Sequence, residues 1–158
     1  MIPNYKLAEL FSKGEQSGLG SNMFIEDNTI YSYGHHFKIA QRLNPDQEIA
    51  TGYRYVYNFE YYSASTARHQ KQVRDNLNRY IEIPGCDIEE AFLRKYAQQL
   101  ASELEEIKTK QSKLKTKGVR FQQYQAKIEE THARYNEVYS FLSNLYGGQA
   151  IQFIKEEN

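Results

Sequence analysis

The sequence predicts an α+β protein: a small antiparallel sheet with one packed helix, followed by a long antiparallel helical hairpin of the coiled-coil kind. Three observations carry this. Tyr53, Tyr55, Tyr57, Phe59 and Tyr61 alternate with the two-residue period that puts side chains on one face of a strand. Leu93, Leu100, Ile107 and Leu114 recur every seven residues, the spacing of paired long helices. The period changes near Cys86. The expected organisation is an N-terminal arm (1–21), a small α+β domain (22–86), the hairpin (87–147) and a C-terminal tail (148–158).

The elements follow in chain order. Tyr5 to Lys13 reads as a short helix with Leu7, Leu10 and Phe11 on its apolar face, stopped by Gly14 and the stretch from Gly18 to Gly20, and suited to docking as an arm. Met23 to Ile25 and Thr29 to Tyr33 read as two strands joined by a tight turn at Glu26, Asp27 and Asn28. Gly34 ends the second. His35 to Leu43 fits a short strand or a helical turn, and Asn44, Pro45 and Asp46 read as a loop. Glu48 to Tyr62 is the strongest strand signal. Ser63 or Ser65 then caps a helix to about Asn78, with Thr66, Gln70, Val73 and Leu77 inward, because a hydroxyl can accept the free amides of a first turn. Tyr80 to Ile83 is a last short strand before Pro84 and Gly85.

From Asp87 onward the pattern is helical. Positions 93, 97, 100, 104, 107 and 114 form one seam, interrupted by Gln111, and Tyr124, Ile128, Tyr135, Val138, Leu142 and Leu145 form a second. Two seams predict a hairpin, turning at Lys117 and Gly118, with arms of about 40 Å at the helical rise per residue. Gly147 and Gly148 end the second helix. Ile151, Phe153 and Ile154 in the tail predict an edge strand or a clip.

Composition narrows the function classes. The chain has 158 residues, enough for one domain or a domain with an appendage, and its 14 Tyr and 8 Phe make rings the main core material. A formal net charge of zero argues against a wholesale nucleic-acid mimic and against a uniformly basic binder, so any electrostatic function is local. The single cysteine, Cys86, leaves no internal disulfide framework or multi-cysteine zinc site and is expected to be a core thiol. No run approaches the roughly 20 apolar residues that span a bilayer, and the first 19 residues lack the apolar block of a signal peptide. The expectation is a cytoplasmic protein of the host cell with no membrane partner.

Two segments carry a likeness. Thr29-Ile30-Tyr31-Ser32-Tyr33-Gly34-His35-His36-Phe37-Lys38-Ile39-Ala40, and later Tyr62-Ser63-Ala64-Ser65-Thr66-Ala67-Arg68-His69-Gln70 with Val73 and Arg74, resemble a small domain of unknown function common in phage and plasmid open reading frames. Its pattern is a YSYG-x-HF-x-IA element and a YS-x-T-T-[SA]-[RK]-H strand-to-helix junction. The resemblance covers roughly residues 22 to 80 and implies a mobile-element origin; the hairpin lies outside it. Lys38 stands where proline is common, and Ser65-Thr66 varies the later motif.

No motif supplies a nucleophile, base and orienting acid, so no catalytic residue, metal site or cofactor is expected. His35 and His36 would point to opposite faces of a strand, although one of them is placed to meet His69. Hydrogen-bonding roles explain the histidines better, and helix capping explains Ser63, Ser65 and Thr66. The tyrosine ladder suits either a stacking platform for unpaired bases or, as favoured here, a buried sheet face. Candidate binding residues are Arg68, Lys71 and Arg74, with Arg79, on the outward side of the helix after Ser63. A second group, Lys108, Lys110, Lys113, Lys115, Lys117 and Arg120, lies within 13 residues that contain no acid, more cations than a helix dipole requires. These features fit a non-catalytic mobile-element protein that binds a host protein or ribonucleoprotein, for example as an inhibitor of a CRISPR effector. The alternative is an accessory nucleic-acid-binding protein using the basic tip and tyrosine face. The hairpin also permits a homodimer.

Overall fold

A computed structural model describes residues 1–147 of the chain; the strand or clip expected in the tail falls outside them. The chain is α+β with a helical hairpin, and it divides into two compact units, Met1–Asp87 and a second that begins at Ile88. No helix among the described residues is long and apolar enough to cross a membrane.

The first unit is built on six strands, β1 (Ser17–Leu19), β2 (Met23–Glu26), β3 (Thr29–Ser32), β4 (Lys38–Arg42), β5 (Tyr55–Tyr57) and β6 (Tyr80–Glu82), in that spatial order. Pairing is antiparallel from β1 to β5, and β6 then adds parallel to β5. The sheet is therefore mixed, not wholly antiparallel. A parallel neighbour requires a crossover, and helix α3 (Ala64–Arg74) lies in the connection that supplies it.

Helix α1 (Asn4–Ser12) occupies the segment expected as an arm, but Leu7, Ala8 and Phe11 are fully buried in the core with Met23, Ile25, Ile30, Tyr55 and Val73. Close approach explains Gly20: a Cβ there would lie 2.9 Å from Asn4 Oδ1 and 3.2 Å from a Leu7 methyl. At the other end of α1, the Arg42 guanidinium lies 4.5 Å from the Phe11 ring centroid and donates to the Phe11 carbonyl oxygen, satisfying a terminal helix acceptor.

Residues 45–51 form a helix capped by Asn44, correcting the loop and the start of the long strand. Asn44 Oδ1 accepts from the Gln47 amide at 2.8 Å, and Gln47 Oε1 accepts from the Asn44 amide at 3.0 Å. This capping box, with Pro45 in the first turn, starts α2 (Pro45–Thr51), and Gly52 at φ 81° stops it. The remaining strand β5 is three residues long and buried throughout, so it has no solvent face. Asn58 then turns the chain: its Nδ2 donates to the Lys38 carbonyl at 3.0 Å, and its Oδ1 accepts from the amides of Glu60 and Gly85, both at 3.1 Å.

Ser63, not Ser65, caps α3, its hydroxyl accepting from the Thr66 amide at 3.2 Å. Thr66, Gln70 and Val73 face inward together with His69, and Leu77 packs against the core from beyond the helix end.

In the second unit, α4 (Glu90–Ser112) packs along α5 (Val119–Tyr146). At 1.5 Å per residue they are about 35 and 42 Å long. Buried positions are Leu93, Tyr96, Ala97, Leu100 and Leu104 on α4, and Thr131, Tyr135, Val138, Phe141 and Leu142 on α5. Tyr96 and Phe141 extend the expected seams. Ile107, Tyr124 and Ile128 are only half-buried, so the seam loosens toward the turn. Gln111 bridges it there, donating from Nε2 to Gln125 Oε1 at 2.9 Å and to the Phe121 carbonyl at 3.3 Å. The turn spans residues 113–118, wider than the expected break, and Leu114 belongs to it rather than to the helix.

Candidate functional site

Two sequence segments, residues 29–40 and 62–74, meet in space. Ser32, the last residue of β3, is buried against α3, with its Oγ 2.8 Å from His69 Nδ1 and 3.3 Å from Thr66 Oγ1. The chain then reverses through Tyr33, which has a left-handed φ of 64° and lays its ring 5.3 Å from the His69 ring. At Gly34, which follows, a Cβ would come within 2.9 Å of Nδ1 of the exposed His36 ring. His36 and Phe37 both approach the Tyr62 ring, at 5.9 and 5.6 Å between centroids.

The protons in this junction can be assigned from its partners. Asn4 Oδ1 accepts from the Asn22 amide at 3.2 Å, so the Asn4 NH2 is the group that faces His69 Nε2 at 3.5 Å. Nε2 is then the acceptor, and Nδ1 carries the proton it donates to Ser32. A base that activates Ser32 would need its lone pair on Nδ1. Burial, with Arg68 nearby, holds the His69 pKa below its usual value and favours this neutral form.

His35 and His36 make different contacts from His69. His35 is exposed, packs edge-on against Phe24 and Tyr31 at 5.0 Å each, and pairs with Glu26. Neither His35 nor His36 bonds to His69, and both lie in the turn after β3 rather than on a strand. Among the described residues no cluster of three or more His, Cys, Asp or Glu is arranged to hold a metal ion.

Beside the junction a cavity of about 350 Å³ opens, lined by His35, His36, Phe37, Lys38, Glu60, Tyr61 and Tyr62, with Asn58 and Gly85 also contributing. Sequence reasoning missed Asn58 and Glu60 because it placed them within one long strand. The centre of the tyrosine ladder is a buried face, the reading favoured above over a stacking platform. Tyr55 and Tyr57 are only 2% and 4% exposed, the Tyr55 hydroxyl donating to the Ser12 carbonyl at 3.1 Å, so neither ring can stack a base. Tyr61 of that run and its neighbour Tyr62 are 75% and 60% exposed, and Phe59 is 36% exposed.

The candidate cations fall into two classes. On α3, Lys71 bonds Asp75 at 2.9 Å, Arg74 lies 4.0 Å from the same carboxylate, and Arg68 is exposed. Arg79 is not on that helix; it bonds Glu48 at 3.0 Å and the Gly52 carbonyl. Along the hairpin, Lys108 pairs with Glu105 and Lys110 with Glu106, each about one helical turn away. At the tip, Lys113, Lys115, Lys117 and Arg120 are exposed and make no ion pair among the described residues. Lys117 lies 5.8 Å from the Phe121 ring centroid.

Comparison with family models, with curated proteins and with solved structures returns no match to this chain.

Proposed function

We propose that this protein is a non-catalytic binding protein of a mobile genetic element, acting in the host cytoplasm by occupying a surface of a defence complex such as a CRISPR effector. The observation that carries the proposal is the uneven pairing of cations on the hairpin: those on the α4 stem are partnered by acids, whereas the four at the tip are not. Exposed cations without an acidic partner need break no existing ion pair to meet an acidic protein patch, and charge complementarity of this kind speeds and orients docking. The likeness of residues 22 to 80 to a phage and plasmid domain supports the mobile-element origin. The proton order at Ser32 and His69 supports a binding rather than a hydrolytic role.

The test is co-elution and inhibition against a broad panel of purified defence complexes, with Lys113→Glu and Lys115→Glu as the weakening pair. Failure to bind or inhibit any complex in the panel rejects the reading. The same four cations favour a second reading, accessory nucleic-acid binding, now without the buried tyrosine face. It requires direct binding to RNA or DNA that weakens as salt rises. A second copy of the chain is a further partner for the hairpin, tested by mass in solution.

A further inference from the structure

The cavity beside the Ser32–His69 junction combines three features. First, it presents open ring surface: Tyr62 is held by Phe37 and His36 yet remains mostly exposed, and Tyr61 projects further into solvent. Second, beside the imidazoles of His36 and of His35, which pairs with Glu26, the lining contains one ammonium, Lys38, and one carboxylate, Glu60, and neither of these two forms an ion pair with the other or with any described residue. Third, the polar groups of the Asn58 side chain are already engaged with Lys38, Glu60 and Gly85 backbone. The Glu60 carbonyl is likewise taken by Gln70 Nε2 at 2.9 Å.

A ligand that satisfies this lining has a flat π-face for the rings, an anionic group for Lys38 and a hydrogen-bond donor for Glu60. One group alone does not serve: a guanidinium would leave Lys38 as a like-charge neighbour, and a bare phosphate would use neither rings nor carboxylate. The volume, about 350 Å³, is at the small end of ligand pockets and matches a single heterocycle with its appended group. We propose that this cavity binds one nucleotide unit, its base against Tyr61 and Tyr62, its phosphate at Lys38 and an exocyclic amine on Glu60. Aromatic stacking of a base and charge-assisted contact to phosphate are both sequence-tolerant, whereas a carboxylate accepts from an exocyclic amine, as it does from cytosine, better than from the uracil N3–H, whose two flanking carbonyls repel it.

The proposal does not depend on the hairpin, so it stands or falls separately from the function proposed above. The experiment is calorimetric titration of the full chain with CMP, AMP, GMP and UMP, alongside cytidine, which lacks the phosphate. The expected result is saturable binding of the three amine-bearing nucleotides, with UMP weaker by about tenfold. Tyr61→Ala should weaken all of them, and Lys38→Ala should weaken CMP to the level of cytidine while leaving cytidine unchanged. Glu60→Gln should narrow the gap between CMP and UMP, because an amide can also pair with the uracil carbonyl. Circular dichroism of each variant separates lost binding from lost fold. A free nucleotide and an unpaired nucleotide within a strand share this chemistry. Tighter binding of a short single-stranded oligocytidine that persists in Lys113→Glu/Lys115→Glu assigns the strand, and equal affinity assigns the free nucleotide. The proposal is overturned if no nucleotide binds at about 1 mM. It is equally overturned if N-acetylarginine amide binds in their place, or if Lys38→Ala and Tyr61→Ala bind like the parent chain.

Discussion

Ser32 Oγ and His69 Nδ1 stand 2.8 Å apart where the end of β3 meets α3, and the Ser32 hydroxyl is also 3.3 Å from Thr66 Oγ1. Three buried polar side chains thereby satisfy one another across more than thirty residues of sequence. Buried polar groups stabilise a fold only while the set is complete, because an orphaned member bears its full desolvation cost.

Ser32→Ala is expected to destabilise the protein by about 1–3 kcal/mol, since the His69 N–H and the Thr66 hydroxyl both lose a partner in a buried site. Urea denaturation measures it. The double variant Ser32→Ala/Thr66→Val should cost less than the two single changes summed, because removing both hydroxyls leaves fewer orphans. Strict additivity would show that the three groups do not act as a network.

The depressed His69 pKa sets a pH dependence with a definite sign. In the unfolded chain His69 takes up a proton near its ordinary value of 6.5, whereas in the fold burial and Arg68 oppose that uptake. Between the folded value and 6.5 the unfolded state binds more protons, so stability falls on acidification through that window and is complete above it. Comparison with His69→Asn, which cannot titrate, isolates the effect: the parent should lose stability more steeply than the variant as pH drops below 6.5. Parallel curves would contradict the assignment.

Cys86 is nearly fully buried, with its sulfur 3.7 and 3.6 Å from the carbonyl oxygens of Ile39 and Val56, and burial pushes its thiol pKa up to about 12. The thiolate is the reactive species, so iodoacetamide at mildly alkaline pH should leave the folded protein unlabelled while labelling it fully in denaturant. Mass spectrometry reads the added group; rapid labelling of the native protein would contradict this burial.

At the hairpin tip, the double charge reversal Lys113→Glu/Lys115→Glu should lower stability by no more than about 1 kcal/mol, because neither lysine is buried or ion-paired and Lys113 contributes only a cation at the C-terminus of α4. If the tip engages duplex DNA, the slope of log affinity against log salt should shrink by about 0.9 for each phosphate contact removed. Fluorescence anisotropy across a salt series provides the slope. The same reversal at Lys108 and Lys110, which already have acidic partners, is the control and should disturb i,i+3 and i,i+4 pairs worth only tenths of a kcal/mol.

Much of the architecture was legible before folding was considered. The heptads from Leu93 to Ile107 and from Ile128 to Leu142 specify a hairpin because a helix face with that period has to be buried along its length. Ser63 marks the start of α3 through local hydroxyl chemistry. The misreadings were local too: Asn44, Pro45 and Asp46, read as a loop, are the capped start of a helix, and the tyrosine alternation from Tyr53 to Tyr61 hid the turn at Asn58.

The sequence by itself determined the α+β class, the helical hairpin, the position of α3 and the cluster of cations at the tip, because each follows from periodicity or composition within a short window. Tertiary structure alone decided that β6 adds parallel, that Leu7 and Phe11 belong to the core, and that Ser32 meets His69. It also decided which cations have partners and that Lys38 and Glu60 share a cavity. These relationships join residues far apart in the chain, and their energies come from burial and hydrogen-bond geometry that exist only once the elements have packed.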